Sequence, residues 1–140
     1  MPSNEEKINE FLKSVGSQAQ LAQTAGMALP NMQAIVAHMG VNFGVILDQN
    51  TFIICQSGIA YLPRANIAPL YRRLLALNLV MGGPYFGLVE QTNVISLQIT
   101  RNVEGLDFVE FKWMLDQWAG IYWRYVPTLI QEFQLPLQPS

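Results

Sequence analysis

Two segments of the sequence repeat one pattern, and this repeat limits the folds that the chain can adopt. Phe43-Gly44-Val45-Ile46 is followed by Asp48-Gln49, and Phe86-Gly87-Leu88-Val89, 43 residues further on, is followed by Glu90-Gln91. In each copy a second β-rich run comes next, and a segment with helical spacing follows it. Two copies are too few for a solenoid. The repeat therefore predicts an α+β fold in which two ββα units share one antiparallel sheet.

The run from Val94 to Thr100 supports antiparallel pairing, because apolar and polar residues alternate in it. The apolar set is Ile95, Leu97 and Ile99, and the polar set is Ser96, Gln98 and Thr100. Such alternation is typical of an antiparallel strand with one face on the core and the other in water or against a polar partner. Arg101 continues the apolar parity. We therefore expect either that the strand ends before Arg101 or that Arg101 pairs with a carboxylate such as Asp107 or Glu110.

Capping and breaking residues set the ends of the predicted helices. Ser3 and Glu6 form a capping box for a helix near the N-terminus. Asn66 is predicted to cap the helix between the two hairpins, and Asp107 to cap a long last helix. Pro127 is expected to kink or break that last helix, because proline has no backbone N–H to donate.

The region before the first hairpin is predicted to be helical. Residues 17–42 are rich in Gln, Ala and Met, and helical spacing predicts a short helix that starts at Pro30. The apolar positions with that spacing are Leu29, Met32, Ile35, Val36 and Met39. We therefore expect one domain over 1–140, with an N-terminal helical region over 1–42, a first ββα unit over 43–81 and a second over 85–134.

The composition narrows the class of protein. The chain has 140 residues, 51% hydrophobic and 13% charged, which supports one buried core and argues against disorder. A net charge of −2 predicts no nucleic-acid partner, because phosphate contacts need clustered basic residues. The longest uncharged run is interrupted by polar residues, so we expect no membrane span. The acidic start is unlike a targeting peptide, and we expect a cytoplasmic protein.

Few residues could carry covalent chemistry. Cys55 and His38 are the single cysteine and histidine, which excludes an intramolecular disulfide and the usual Cys and His zinc sites. We expect Cys55 to be buried and apolar, and His38 to lie at a surface or helix end without an orienting carboxylate. The acids are better explained as helix caps and loop residues than as a pair: Glu90, Glu104, Asp107, Glu110 and Asp116. The sequence therefore predicts no catalytic residue, metal or cofactor, and no enzyme.

The last helix carries all three tryptophans of the chain. Trp118 and Tyr122 lie on its predicted core stripe, whereas other apolar residues fall outside that stripe. Aromatic side chains beside an arginine suit a protein interface. The candidate partner-binding residues are Trp113, Ile121, Trp123, Arg124 and Tyr125. Alternatively, the N-terminal region covers this helix within its own domain.

The order of elements, helix, hairpin, helix, hairpin and long helix, resembles the type III secretion chaperone-like fold, and the sequence is similar to the YbjN-type family. The segments that carry the resemblance are Leu70-Tyr71-Arg72-Arg73-Leu74-Leu75-Ala76-Leu77-Asn78, Tyr85-Phe86-Gly87-Leu88, the strand to Arg101, and Glu104-Gly105-Leu106-Asp107. The resemblance covers about residues 40–134, and residues 18–42 depart from it. It implies a small cytoplasmic protein, usually dimeric, that holds a segment of another polypeptide. It implies no catalytic residues.

We therefore expect a non-enzymatic, homodimeric protein-binding module, chaperone-like or adaptor in type, with an unidentified protein partner. The alternative is a small-molecule-responsive regulator, since some YbjN-type members are described as sensory-transduction regulators. In that case the ligand would lie between the sheet and the last helix. An enzyme is the third hypothesis, and it requires titratable groups that converge in a cleft.

Overall fold

One antiparallel sheet with three helices organises the computed structural model, which describes residues 2–23 and 31–139. The helices are α1 (Asn4–Ser14), α2 (Ile67–Val80) and α3 (Phe108–Phe133). The strands are β1 (Ala22–Gln23), β2 (Met32–His38), β3 (Val41–Asp48), β4 (Phe52–Tyr61), β5 (Tyr85–Val89) and β6 (Val94–Asn102). The order of strands across the sheet is β1-β2-β3-β4-β6-β5. The predicted α+β class and the two hairpins are confirmed.

The turns of the two hairpins follow from the backbone freedom of their residues. Gln49 and Asn50, between β3 and β4, and Asn93, between β5 and β6, all have positive φ angles. Asparagine tolerates this left-handed conformation better than most side chains. The amide of Thr51 closes the first turn by donating to the carbonyl of Asp48 at 2.9 Å. Polar residues between two β-rich runs therefore fold as the sequence predicts.

The core lies between one face of the sheet and the helices α1 and α3. On that face Val45, Cys55 and Ile99 stand opposite one another in neighbouring strands, and all three are buried. Trp118 of α3 is also fully buried, and its ring stacks on Phe43 with centroids 4.5 Å apart. Its indole N–H donates to the carbonyl of Leu97 at 2.9 Å. The hydrogen bond removes the cost of burying that polar group.

Residues 32–38 form strand β2, so the helix predicted from Pro30 is wrong over this stretch. Ala34 and Val36 are buried while Ile35 between them is exposed, which is the two-residue period of a strand. Pairing with β3 turns these residues into half of another hairpin, closed by Met39 and Gly40 at positive φ. The predicted positions Leu29 and Pro30 lie outside the described residues. The helical part of the N-terminal region is therefore α1, and β1 and β2 extend the sheet.

The helix α3 continues through Pro127, so of the two predicted outcomes, a kink or a break, the break is wrong. Proline removes one hydrogen bond from a helix, but the buried side chains of Val126 and Leu129 on either side of it hold both parts against the core. Asp107 caps α3 as predicted, accepting a hydrogen bond from the amide of Glu110 at 2.8 Å. Asn66 precedes α2 in the left-handed conformation, and its side chain makes no capping hydrogen bond.

Candidate interaction surfaces

Helix α2 exposes an apolar ridge to solvent. It buries Leu70 and Leu74 against the sheet, yet Leu75 and Leu79 on its outer side are 70% and 87% exposed. Tyr71, one turn before Leu75, extends this apolar surface. Single exposed apolar residues are ordinary, but several on one helix are typical of an interaction site. The three residues Tyr71, Leu75 and Leu79, spaced four apart along one side of the helix, are called the α2 ridge below.

A cavity of about 300 Å³ lies between α2 and strand β5 at the edge of the sheet. Its walls carry no charged side chain. They include Leu62, Tyr71, Leu75, Asn78, Phe86 and Leu88. Because Tyr71 and Leu75 belong to both the cavity and the α2 ridge, the two features form one apolar surface.

The side chain of Asn78 closes part of the free edge of β5. Its Oδ1 accepts a hydrogen bond from the amide of Phe86 at 2.7 Å, and its Nδ2 donates to the carbonyl of Phe86 at 3.0 Å. Backbone groups two residues apart in a strand point to the same side. The N–H and C=O of Leu88 therefore also point away from β6, beside the cavity. An open strand edge of this kind is able to pair with another backbone.

Trp113 lies half-exposed on α3, next to the C-terminal end of α2. Its ring is 38% exposed and lies 3.4 Å from the position that a Cβ on Gly83 would take. The guanidinium of Arg101 lies over the ring, 5.0 Å from the centroid. Strand β6 includes Arg101, and none of the ion pairs within the described ranges involves this residue. Both expectations for Arg101 are therefore wrong, and a cation–π contact takes the place of a carboxylate.

Trp123 fastens α3 to the turn between β2 and β3. Its indole N–H donates to the carbonyl of Met39 at 2.8 Å, and its ring packs edge-on against Tyr122 at 5.2 Å. The side chain is nevertheless 51% exposed. Trp113 and Trp123 are ten residues apart, which places them about 80° apart around the helix. The two indoles therefore lie on different sides of the helix.

The other predicted partner-binding residues have different surroundings. Ile121 is 9% exposed and packs in the core, so its side chain is not available to a partner. Arg124 is exposed, and its guanidinium lies 5.3 Å from the ring centroid of the half-buried Tyr125. The structure thus does not bring the five residues into one cluster. The sequence did not point to the α2 ridge, although Leu75 and Leu79 are apolar residues of that helix.

His38 forms a polar contact that the sequence did not reveal. Its Nε2 lies 2.7 Å from Oδ1 of Asp116, and Lys112 lies 3.6 Å from the other oxygen of that carboxylate. His38 ends a strand rather than a helix. The two partners are 78 residues apart, so proximity in sequence gave no signal. In the described part of the chain, no three His, Cys, Asp or Glu side chains are close enough to hold a metal ion.

Cys55 is fully buried in the centre of the sheet, as predicted. Burial raises the pKa of its thiol well above the usual range, because the thiolate loses its hydration there. A thiol that stays protonated is a poor nucleophile. The side chain therefore acts as a small apolar residue of the core.

Comparisons with known proteins show the fold. No family model matches the sequence, and no curated protein does. Among solved structures, YbjN from E. coli is 14% identical with a TM-score of 0.60, and the match covers 99% of this chain and 97% of that one. A chain of the ExsC–ExsE complex is 15% identical with a TM-score of 0.58, covering 87% and 92%. A chain of the HopA1–SchA chaperone–effector complex is 13% identical with a TM-score of 0.57, covering 86% and 91%.

These similarities identify the fold as type III secretion chaperone-like, which confirms the resemblance found in the sequence. Sequence identities of this size carry the architecture and not the activity. None of the three helices in the described ranges has the length and apolarity needed to cross a bilayer.

Proposed function

We propose that this chain, which has a type III secretion chaperone-like fold, is a homodimeric, non-enzymatic module that holds a segment of another polypeptide in the cytoplasm. The observation that carries the proposal is the α2 ridge, where Leu75 and Leu79 are exposed on a helix whose opposite side is buried. The similarity to a chaperone–effector complex agrees with a binding role. No step of bond chemistry is needed for such a role.

We assign the α2 ridge and the adjoining cavity to a second copy of the chain. A two-fold interface brings the same patch of both copies together, so an apolar, uncharged patch is self-complementary. Helix α2 has no acidic residue in its first turn and no basic residue in its last turn. If two α2 helices pack antiparallel, Arg72 of each copy approaches the C-terminal end of the other helix, where a positive charge is favourable.

The second surface, on α3, is assigned to the partner polypeptide. It keeps four of the five residues predicted from the sequence, namely Trp113, Trp123, Arg124 and Tyr125. Partly exposed tryptophans offer a large apolar area with one hydrogen-bonding group, which suits an interface. Because Trp113 and Trp123 lie on different sides of α3, a partner that touches both must wrap around the helix.

The dimer is tested by the molar mass of the protein in solution. Light scattering should give two chains per particle for the wild type and one for Leu79→Glu, since the charge cannot be buried in an apolar interface. Val109→Glu is the matched control, because Val109 is an exposed apolar residue of α3, outside the α2 ridge. A wild type that remains one chain per particle at tens of micromolar contradicts the proposed dimer.

The holding role is tested by affinity capture followed by mass spectrometry. The wild type should retain a specific polypeptide, and the double variant Trp113→Ala and Trp123→Ala should retain less of it. Glu10→Ala on α1 is a control with an exposed side chain outside this surface. Retention of the same polypeptide by the wild type and the double variant contradicts the assignment to α3, and retention of no polypeptide by the wild type contradicts the holding role.

A second candidate is a ligand-responsive regulator, which the apolar cavity of about 300 Å³ favours. This volume lies at the lower end of the range for small-molecule sites. A thermal-shift screen separates the candidates, because a ligand that binds the native state raises the melting temperature. The cavity lies between α2 and β5 rather than under the last helix, where the sequence placed it.

A further inference from the structure

Charge is unevenly distributed along this chain. Residues 49–89 and 117–131 together contain four arginines and no acidic residue, a formal charge of +4, whereas the whole chain carries −2. The rest of the chain therefore carries −6. In the described residues, Arg73 is neutralised by Glu132 through two hydrogen bonds, while Arg64, Arg72 and Arg124 make no ion pair. Helix α2 therefore carries a net positive charge, and on α3 Arg124 is a cation without a carboxylate partner in the described part of the chain.

The outward side of α3 combines this unpaired arginine with an aromatic ring. Trp113, Gly120 and Arg124 are separated by seven and four residues, so they lie within about 40° of one another around the helix. Arg101 lies over Trp113 and adds a second guanidinium without a carboxylate partner among the described residues. Trp113 and Arg124 are about 16 Å apart along the helix axis. The residues Trp113, Gly120 and Arg124 of α3, together with Arg101 of β6, are called the α3 outer face.

Gly120 has no evident role in the packing of its own chain. It lies inside an α-helix, where glycine costs up to about 1 kcal/mol relative to alanine. A Cβ at this position would meet no atom within 4 Å, and the residue is exposed. Neither a positive φ nor a close neighbour requires glycine here. A residue without a side chain between Trp113 and Arg124 does, however, allow another backbone to approach the helix closely.

We propose that the α3 outer face binds an extended polypeptide segment in which carboxylates alternate with apolar side chains. The inference rests on the proposed function and names the chemistry of its partner. Arg124 and Arg101 supply bidentate donors for the carboxylates, and Trp113 supplies the apolar contact. About five residues of extended chain span the 16 Å between Trp113 and Arg124. The backbone of the segment passes over Gly120.

The charge distribution disfavours the other occupants of this face. A second copy bound with two-fold symmetry would place its own arginines against these arginines, which costs binding energy. A copy bound through its helix α1 would make a head-to-tail contact, which gives open chains or rings rather than the two-fold dimer proposed above. Two guanidiniums on a chain with net charge −2 are too few for a nucleic-acid backbone.

The test selects peptides from a random displayed library on the immobilised full-length chain. The enriched peptides should have more Asp and Glu than the starting library, together with Leu, Phe or Tyr. The best peptide is then synthesised with a fluorescent label and titrated against variants. Arg124→Gln should weaken its binding by about tenfold or more, and Gly120→Leu should weaken it similarly, because the new side chain blocks the approach.

Arg64→Gln is the matched control, since it removes an exposed arginine without an ion pair from a position outside this face. It should change the affinity less than about twofold, consistent with the small effect of a remote surface charge. Thermal melting of each variant shows that the fold is kept. The inference is overturned, and the holding role is not, if the enriched peptides contain no excess of Asp and Glu. The same holds if Arg124→Gln leaves the affinity of an acidic peptide unchanged. A library from which no peptide is enriched overturns the proposed holding role as well.

Discussion

The side chain of Asn78 has a role normally taken by backbone, because its amide bonds both the N–H and the C=O of Phe86. Replacement by alanine leaves these two groups of a partly buried strand edge without a partner. We expect Asn78→Ala to lower the free energy of unfolding by about 1–3 kcal/mol. Asn78→Asp keeps the acceptor for the amide but sets a carboxylate oxygen against the carbonyl of Phe86, so it should also destabilise the protein. Urea unfolding measures both.

The prediction for Asn78 has a local readout. Hydrogen exchange at the amide of Phe86 should be faster in Asn78→Ala than in the wild type, because the amide loses its acceptor. Exchange in the centre of the sheet, at Val45 for example, should change only with the global stability. Unchanged exchange at Phe86 would show that the side chain does not hold the edge of β5.

Gly82 occupies a position that only glycine adopts without strain. Its φ is +72°, in the turn that ends α2. We expect Gly82→Ala to destabilise the protein by about 1–2 kcal/mol, since a Cβ clashes with the backbone in this conformation. Gly120→Ala is the matched control, because Gly120 is helical and has space for a Cβ, and it should gain up to about 1 kcal/mol. Equal effects of the two substitutions in urea unfolding would contradict this explanation.

At the scale of elements, the sequence predicted those whose apolar period agrees with their local propensity. Strand β6 alternates apolar and polar residues, and α1 and α3 begin at side-chain caps, so all three were predicted. Strand β2 was missed because apolar residues at Met32, Ile35, Val36 and Met39 also match a helical period. Its pairing with β3 decides the conformation, and that partner is not visible in the local sequence.

The candidate site was harder to predict than the fold. Sequence spacing separates the core stripe of α3 from its other sides, and it placed Trp118 correctly in the core. It does not reveal what lies beside each exposed residue. Ile121 lies outside the predicted stripe, yet the structure packs it into the core. The contact of Trp123 with Met39 joins residues 84 apart, and it follows from the tertiary fold alone.

The attachment of α3 to the β2–β3 hairpin depends on one indole N–H. Trp123→Phe keeps an aromatic ring but removes the hydrogen bond to the carbonyl of Met39. We expect a loss of about 1 kcal/mol in unfolding free energy, with faster hydrogen exchange in β2 and β3. Trp113→Phe is the control, since the indole N–H of Trp113 makes no hydrogen bond within the described residues. A larger loss for Trp113→Phe would contradict the role of this bond.

At the scale of the whole molecule, helix α2 exposes apolar surface on the side opposite to its contacts with the core. Burial of a leucine side chain contributes about 1.5–3 kcal/mol. In a two-fold dimer, each residue of the α2 ridge is buried in both copies of the chain. The proposed dimer therefore couples association to folding, and the stability of the chain should depend on its concentration.

The melting temperature of the wild type should rise as the protein concentration increases, because mass action favours the associated native state. Leu79→Glu should melt at a temperature that does not change with concentration. The substitution removes two leucines from the interface and buries two carboxylates, so its dimer dissociation constant should increase by a factor on the order of 10³ or more. Calorimetry over a hundredfold range of concentration, about 1–100 μM, measures both effects. A wild type whose melting temperature is constant over this range has no dimer linked to its stability, and the α2 ridge then has another occupant.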